Sequence, residues 1–113
     1  MTISDRLDTV VVLFPFTDIA RAKPRPALVL SRRSFNENHG ATVLAMITTA
    51  GQSKWPSDVA LAELTAAGLT RPSFIRLRIF TLENDLIAKR IGALGRSDRK
   101  RAEDALAACF GTA

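Results

Sequence analysis

The sequence contains only one cysteine, one histidine and no apolar run long enough to cross a membrane. The single Cys109 excludes an intrachain disulfide, fits a reducing cytoplasm, and is expected to be a small apolar core residue. The longest apolar run, Val10 to Phe16, is too short to span a bilayer, and its flanking charges are unlike those of a signal peptide. We therefore expect a cytoplasmic protein that does not enter a membrane.

The usual catalytic signatures are also missing. The sequence has no metal-binding Cys/His spacing, no Walker loop, no dinucleotide-binding fingerprint and no nucleophile elbow. His39, the only histidine, lies between Asn38 and Gly40, a context typical of an exposed turn. Any chemistry must therefore depend on Arg, hydroxyl and carboxylate side chains, and we expect neither a metal nor another cofactor.

Acidic residues are outnumbered by basic ones. Lys and Arg total 16 against 11 Asp and Glu, a net charge of +5, within 113 residues that fit one domain spanning 1–113. A basic surplus made mostly of Arg favours nucleic acid as a partner, because Arg binds phosphate at two points and stacks on bases. A basic surface with no special partner is the competing interpretation.

Closely spaced apolar segments predict an antiparallel sheet, because parallel strands need crossovers of a dozen or more residues. Strands are predicted at Val10–Phe14, Ala27–Ser31, Ala41–Thr48, along an alternating segment that begins near Ser73, and within residues 89–95. Residues 32–40 are predicted to be a turn-rich connection. The economical architecture is a compact SH3-like β-barrel.

Two helices complete the prediction. A short inserted helix is expected over Ala60–Ala67, ending at Gly68. Ser97 is predicted to cap a C-terminal amphipathic helix. The residues expected on the apolar face of that helix are Ala102, Ala105, Leu106, Cys109 and Phe110.

Arg25 is the strongest candidate for chemistry. Pro24 and Pro26 fix the backbone on both sides of it, which lowers the ordering cost of presenting its guanidinium to a phosphate. An ordinary surface arginine at a strand entry is the alternative. Thr48 ends the third predicted strand, where its hydroxyl either satisfies backbone groups or, if that strand adjoins the second, flanks one concave site with Arg25.

Other segments suit RNA contacts. Five basic residues and no acid lie from Arg21 to Arg33. A second set, which alternates along the extended segment, suits either stacked bases or a subunit interface: Phe74, Arg76, Arg78 and Phe80. Trp55, beside Lys54 in a loop of small and polar residues, either stacks a base or anchors the loop.

Taken in order, these segments resemble the MazF/PemK family of toxin ribonucleases. The resemblance is carried by Asp8–Asp18 with its Phe-Pro-Phe sequence, Lys23–Ser31 with its Arg-Pro strand, Ala45–Thr49, and later blocks around Ala67–Leu69, Pro72–Ser73, Thr81–Leu82 and Ile91–Leu94. Leu7 replaces the glycine that opens the family pattern, and Thr49 stands where serine is frequent.

The resemblance implies an SH3-like barrel that dimerises, cuts single-stranded RNA at short sequences without a metal, and is blocked by a cognate antitoxin. By motif position, Arg25 and Thr48 match the catalytic arginine and threonine. The residues do not identify a general base, and Asp18, the nearest loop carboxylate, is the candidate for that proton transfer. The expected RNA-binding residues are Phe16, Thr17, Asp18, Lys23, Thr49, Lys54, Trp55, Arg76 and Arg78. The alternatives are a CcdB-like toxin that binds DNA gyrase without catalysis, or a silent relative that binds RNA or a partner.

Overall fold

The computed structural model describes residues 3–14, 23–49, 51 and 54–111. Within these ranges the chain forms one six-stranded antiparallel sheet and two helices. The strands are β1 (Asp8–Phe14), β2 (Lys23–Val29), β3 (Ala41–Thr49), β4 (Val59–Ala60), β5 (Ser73–Glu83) and β6 (Ile87–Ala93). The helices are α1 (Arg33–His39) and α2 (Arg96–Phe110), and a 3-10 turn at Asn84–Leu86 joins β5 to β6. The predicted antiparallel β fold with a C-terminal helix is confirmed.

Hydrogen-bonded strands follow the order β4, β5, β3, β2, β1, β6. The turns of residues 61–69 connect the two ends of this order. The backbone N–H of Leu61 donates to the Ser73 carbonyl of β5 (2.9 Å), whereas the Ala66 carbonyl accepts from the Ala93 N–H of β6 (3.0 Å). The segment thereby satisfies backbone groups at both edges and gives the sheet a barrel-like form.

The prediction of a helix over Ala60–Ala67 is wrong. Val59–Ala60 forms β4, and the residues that follow make successive turns. The Ala67 carbonyl, at the end of these turns, accepts a tertiary hydrogen bond from the Thr9 hydroxyl (2.7 Å). Gly68, predicted as the end point of the helix, ends the turns with a φ of +72°.

The inserted helix is α1, within the segment predicted to be a turn-rich connection. Asn36 is fully buried there, and its side chain accepts a hydrogen bond from the Ser31 hydroxyl and donates to the Ser4 carbonyl (2.9 Å). The Asn84 amide donates to the Asn36 carbonyl (2.8 Å). Gly40, with a φ of +64°, ends the helix. These long-range hydrogen bonds stabilise a helix for which the local sequence carries little signal.

Asp5 and Leu7 shape the turn that leads into β1. The Asp5 carboxylate accepts from the backbone N–H groups of Arg6 (2.8 Å) and Arg33 (3.0 Å), and these hydrogen bonds lower the pKa of Asp5. Leu7 has a φ of +69°, a left-handed conformation that costs a residue other than glycine about 1–2 kcal/mol. Burial of its side chain offsets this cost, so Leu7 adopts a conformation that favours glycine.

Helix α2 and the turns after β4 cap each other. Asp98, fully buried on α2, accepts from the backbone N–H groups of Ala62 (2.9 Å) and Glu63 (2.8 Å). In return, the Glu63 carboxylate accepts from the backbone N–H (3.1 Å) and the hydroxyl (3.0 Å) of Ser97. Ser97 is therefore not the N-cap that the sequence predicts. Gly95 takes that position, and the capping oxygen comes from Glu63.

Replacing Asp98 with alanine should destabilise the fold by about 2 kcal/mol, because the Ala62 and Glu63 N–H groups would lose charged acceptors. Thermal or urea unfolding measures this difference. The matched control is Asp104→Ala on the same helix, where the carboxylate pairs with exposed Lys100 and the expected change is below about 0.5 kcal/mol. Equal stabilities of the two variants would contradict the capping role.

Apolar side chains pack on both faces of the sheet. One cluster includes Leu28, Ala45, Ile47 and Ile75 together with Ala102 and Leu106 of α2, and the other includes Val10, Val12, Ala27, Val29 and Leu44. Neighbouring residues of one strand thus enter different clusters, as the pleat requires. Neither helix in the described ranges has the length and apolar character needed to cross a membrane.

The last turn of α2 lies outside the core. Cys109 and Phe110, predicted on the buried face of the helix, are both exposed, Phe110 by 67%. A groove of about 580 Å³ lies beside this turn, and its lining includes Cys109 together with Val59 of β4 and Leu77 of β5. The apolar face of α2 therefore ends near Leu106, and the predicted core position of Cys109 is wrong.

Candidate functional site

The candidate site begins where β2 and β3 separate. β2 pairs with β1 from Lys23 to Leu28, but its ladder with β3 covers only the three pairs from Ala27↔Met46 to Val29↔Leu44. The N–H of Leu30, just after β2, donates to the β3 carbonyl of Val43 (2.8 Å). The backbone N–H groups of the even-numbered residues of β2 therefore point towards β3.

Pro24 and Pro26 share that direction and have no N–H to donate. The two prolines therefore deprive the β3 side of β2 of donors in the same stretch where the ladder ends. Their pairing with β1 is unaffected, because donors on that side come from the odd-numbered residues.

The separation opens a hollow of about 530 Å³ that contains both predicted catalytic side chains. It is lined by Pro24, Arg25, Pro26, Met46, Ile47, Thr48, Thr49, Ser73 and Arg76. Continuing the Ala27↔Met46 register by two residues places Arg25 opposite Thr48. Arg25 is on the same face of β2 as Ala27, and Thr48 is on the same face of β3 as Leu44, because side chains alternate along a strand. Ala27 and Leu44 belong to one core cluster, so Arg25 and Thr48 lie on one face of the sheet.

The two residues differ in their surroundings. Arg25 is exposed, and among the described residues its guanidinium has no hydrogen-bond or ion-pair partner. Thr48 is half-buried and pairs across the β3–β5 ladder with Phe74. The site thus offers an available cation and a half-buried hydroxyl in one hollow, a combination that suits a phosphate group.

Arg76 forms another wall of the hollow and is nearly buried. Its guanidinium makes two hydrogen bonds to the Asp58 carboxylate, Nε to Oδ1 at 3.2 Å and Nη2 to Oδ2 at 3.0 Å. The guanidinium carbon also lies 5.3 Å from the Trp55 ring centroid and 5.0 Å from that of Phe74. Phe74 itself is buried, so it supports Arg76 and presents no surface on which a base could stack.

The alternation predicted along β5 is interrupted once. Ala45 pairs with Ile79 but Met46 pairs with Arg76, so two residues, Leu77 and Arg78, bulge out of the ladder. Arg78 is exposed in this bulge and does not line the hollow.

The other predicted RNA-binding residues fall into three groups. Thr49 lies in the lining of the hollow. Lys23, Lys54 and Trp55 are exposed but are not among its lining residues. Phe16, Thr17 and Asp18 lie outside the described residues, so their predicted role stays a prediction. His39 is exposed at the end of α1, where its ring lies 4.3 Å from that of Phe35.

Sequence reasoning missed Asp58, Met46 and Ser73. Asp58 lies three residues after Trp55, and its carboxylate accepts a hydrogen bond from the Trp55 N–H (2.8 Å). The intervening Pro56-Ser57 pair is the local signal for this turn. Its pairing with Arg76, 18 residues away, has no local signal. Among the side chains in the described ranges, no group of three or more His, Cys, Asp or Glu residues is arranged to hold a metal ion.

Comparison with known proteins agrees with this architecture. An endoribonuclease from a Mycobacterial species, solved with its cognate antitoxin, is similar with a TM-score of 0.76 and 20% identity, covering 100% of this chain and 98% of that one. A MazE-MazF structure from Deinococcus radiodurans gives 0.77 and 20%, over 99% and 100%. The Mycobacterium tuberculosis toxin MazF-mt6 gives 0.72 and 20%, over 94% and 98%.

These structural similarities, each at 20% sequence identity, show the shared fold. No curated protein matches the sequence significantly. Residues 5–110, nearly the whole chain, match the family of PemK-like, MazF-like toxins. The chain therefore belongs to this toxin family of type II toxin-antitoxin systems.

Proposed function

We propose that this protein is an endoribonuclease that cleaves single-stranded RNA at short sequence motifs, without a metal, through the substrate's own 2′-hydroxyl. The observation that carries the proposal is that Arg25 and Thr48 line the same hollow on one face of the sheet. The similar Mycobacterial structure described as an endoribonuclease supports the same activity.

The proposed reaction is a transesterification. The 2′-oxygen attacks the adjacent phosphorus in line, the bond from phosphorus to O2′ forms, and the bond from phosphorus to O5′ breaks. The 2′-hydroxyl proton passes to water and O5′ takes a proton from water, which leaves a 2′,3′-cyclic phosphate and a 5′-hydroxyl. Because nucleophile and phosphorus belong to one molecule, positioning them can contribute up to about 7–11 kcal/mol.

The protein's task is then to hold that geometry and to stabilise charge. Arg25 stays cationic at any relevant pH, so it can offset negative charge on the phosphate oxygens but cannot accept the proton. The Thr48 hydroxyl can donate a hydrogen bond to a phosphate oxygen but is too weak an acid to act as an ordinary proton shuttle. Asp18, the loop carboxylate considered for proton transfer, lies outside the described residues.

The proposal also includes the partners and location of the toxin. A cognate antitoxin is expected to bind this protein and block its RNA site, because a similar structure holds an endoribonuclease with its cognate antitoxin. A homodimer in the cytoplasm is part of the same proposal. Copurification of the toxin with the product of a neighbouring gene tests the antitoxin, and the molar mass in solution tests the dimer.

Incubation with a long unstructured RNA tests the activity. We expect cleavage that persists in excess EDTA and leaves 2′,3′-cyclic phosphate ends. Thr48→Val should lower the rate by about 10–100-fold, the equivalent of one lost hydrogen bond, whereas Thr48→Ser should retain most of it. The control is Thr81→Val, at an exposed position of β5 outside the lining of the hollow.

Two outcomes would contradict this proposal. A requirement for added metal would refute the mechanism, and an unchanged rate for Thr48→Val would remove Thr48 from it. Intact RNA together with gyrase-linked DNA breaks would favour the CcdB-like alternative.

A further inference from the structure

The Asp58–Arg76 ion pair is unusual for its burial. The side chains are only 10% (Arg76) and 6% (Asp58) exposed, whereas the other described ion pairs have at least one partner exposed by 36% or more. Removing two charges from water costs about as much as their attraction returns, so such a pair is a weak source of stability. Its position beside the hollow indicates a different role.

The Asp58 carboxylate organises more than Arg76. Its Oδ2 accepts from both Arg76 Nη2 and the backbone N–H of Trp55, while the Asp58 N–H donates to the Trp55 carbonyl (3.0 Å). Trp55 in turn lies against the Arg76 guanidinium. One carboxylate therefore joins the turn of residues 55–58 to the Arg76 guanidinium, against which the Trp55 ring lies.

Arg76 connects this assembly to the candidate site. Its guanidinium contacts Asp58, Trp55 and Phe74, and its side chain lines the hollow with Arg25 and Thr48. A planar guanidinium held at two points has little freedom to rotate. The hydrogen bonds to Asp58 therefore help to fix this wall of the hollow.

We propose that Asp58 is a positioning residue for RNA binding, which acts through Arg76 and Trp55 to hold the wall that receives the nucleotide beside the scissile phosphate. The inference rests on the proposed function, because it assigns the substrate of the hollow to RNA. Asp58 does not itself line the hollow, so it acts on the substrate only through its partners.

Asp58→Asn is the informative substitution. An amide has a single oxygen, so it cannot replace both carboxylate oxygens that now accept from Arg76 and from Trp55. We expect KM for RNA to rise about tenfold, while kcat at saturating RNA stays within about twofold because Arg25 and Thr48 are unchanged.

The chain supplies a closely matched control in Asp8→Asn. The Asp8 carboxylate also pairs with an arginine, Arg90 (3.1 Å), and also accepts from a backbone N–H, that of Asp5 (2.8 Å), but it lies outside the lining of the hollow. Asp8→Asn should leave KM unchanged. Melting temperatures of both variants show whether each is folded.

Binding is measured separately from cleavage with an RNA oligonucleotide carrying 2′-O-methyl groups, which has no free 2′-nucleophile. Because Trp55 is the only tryptophan and its ring contacts Arg76, intrinsic tryptophan fluorescence reports on the surroundings of that contact. We expect the oligonucleotide to change the emission of the wild type, and to bind Asp58→Asn about tenfold more weakly. If Asp58→Asn does not fold, Arg76→Lys, which keeps the charge but loses the two-point contact, should give the same KM increase.

Three results would overturn the inference: a KM equal to that of Asp8→Asn, a loss confined to kcat, or tighter binding by Asp58→Asn. Tighter binding would show that Asp58 merely masks the charge of Arg76. A wild type that binds the methylated oligonucleotide but does not cut RNA would refute the proposed ribonuclease activity, and the binding comparison would still decide the role of Asp58.

Discussion

Arg25→Ala is expected to lower kcat for RNA cleavage by about 10²–10³-fold, the usual cost of removing one preorganised donor from a site of developing negative charge. Arg25 lines the hollow from an exposed position and, within the described part of the chain, has no competing carboxylate partner. Its loss should therefore act on the transition state and leave the fold intact. The measurement is a single-turnover rate at saturating RNA, alongside a melting curve.

Two further variants sharpen this test. Arg25→Lys keeps the charge but loses the planar two-point geometry, so it should retain more activity than alanine and less than the wild type. Arg96→Ala, at the exposed start of α2 and outside the lining of the hollow, removes the same charge elsewhere and should leave the rate unchanged. Equal losses for Arg25→Ala and Arg96→Ala would mean that net charge alone drives the effect.

The sequence predicts the two candidate catalytic residues because their signals are local. Pro24 and Pro26 fix the chain around Arg25, and they also lack the donors that β3 would need, so one pattern both presents the guanidinium and opens the hollow. Thr48 lies near the end of an apolar strand, and its catalytic assignment comes from the resemblance to the MazF/PemK family. The two residues lie in one hollow only if β2 is next to β3. The sequence does not establish that neighbour relationship, which comes from the β2–β3 register of the structure.

What the sequence misses depends on contacts between distant segments. Helix α1 is stabilised by Asn36, whose partners Ser4 and Asn84 are 32 and 48 residues away. The turns after β4 have the composition of a helix, yet their N–H groups are bonded to Asp98, 35 and 36 residues further on. Periodicity and capping rules describe neighbours along the chain, so they cannot detect such acceptors.

Gly68 is expected to be essential to the fold because its backbone packs directly against that of Ile91. The sequence indicates only that Gly68 can end a helix, and not that it makes this contact. A Cβ at Gly68 would lie 2.1 Å from the Ile91 carbonyl oxygen, and one at Gly92 would lie 2.3 Å from that of Ala66. The two backbones thus touch directly, on the segment that connects the edges of the sheet. Since each contact is to main chain, no side-chain rotation can relieve it.

Gly68→Ala should therefore destabilise the protein by about 3 kcal/mol or more, combining about 1 kcal/mol of left-handed strain with the cost of forcing the strands apart. Gly40→Ala isolates the first contribution, because Gly40 has a similar φ of +64° but open space within 4 Å of an added Cβ. It should cost about 1 kcal/mol. Urea unfolding of the two variants measures the difference, which is the steric cost of placing a Cβ against the Ile91 main chain. If both variants lost the same stability, the close approach of residues 68 and 91 would add nothing to the cost of the Gly68 substitution. The turns after β4 would then not be held tightly against the edge of the sheet.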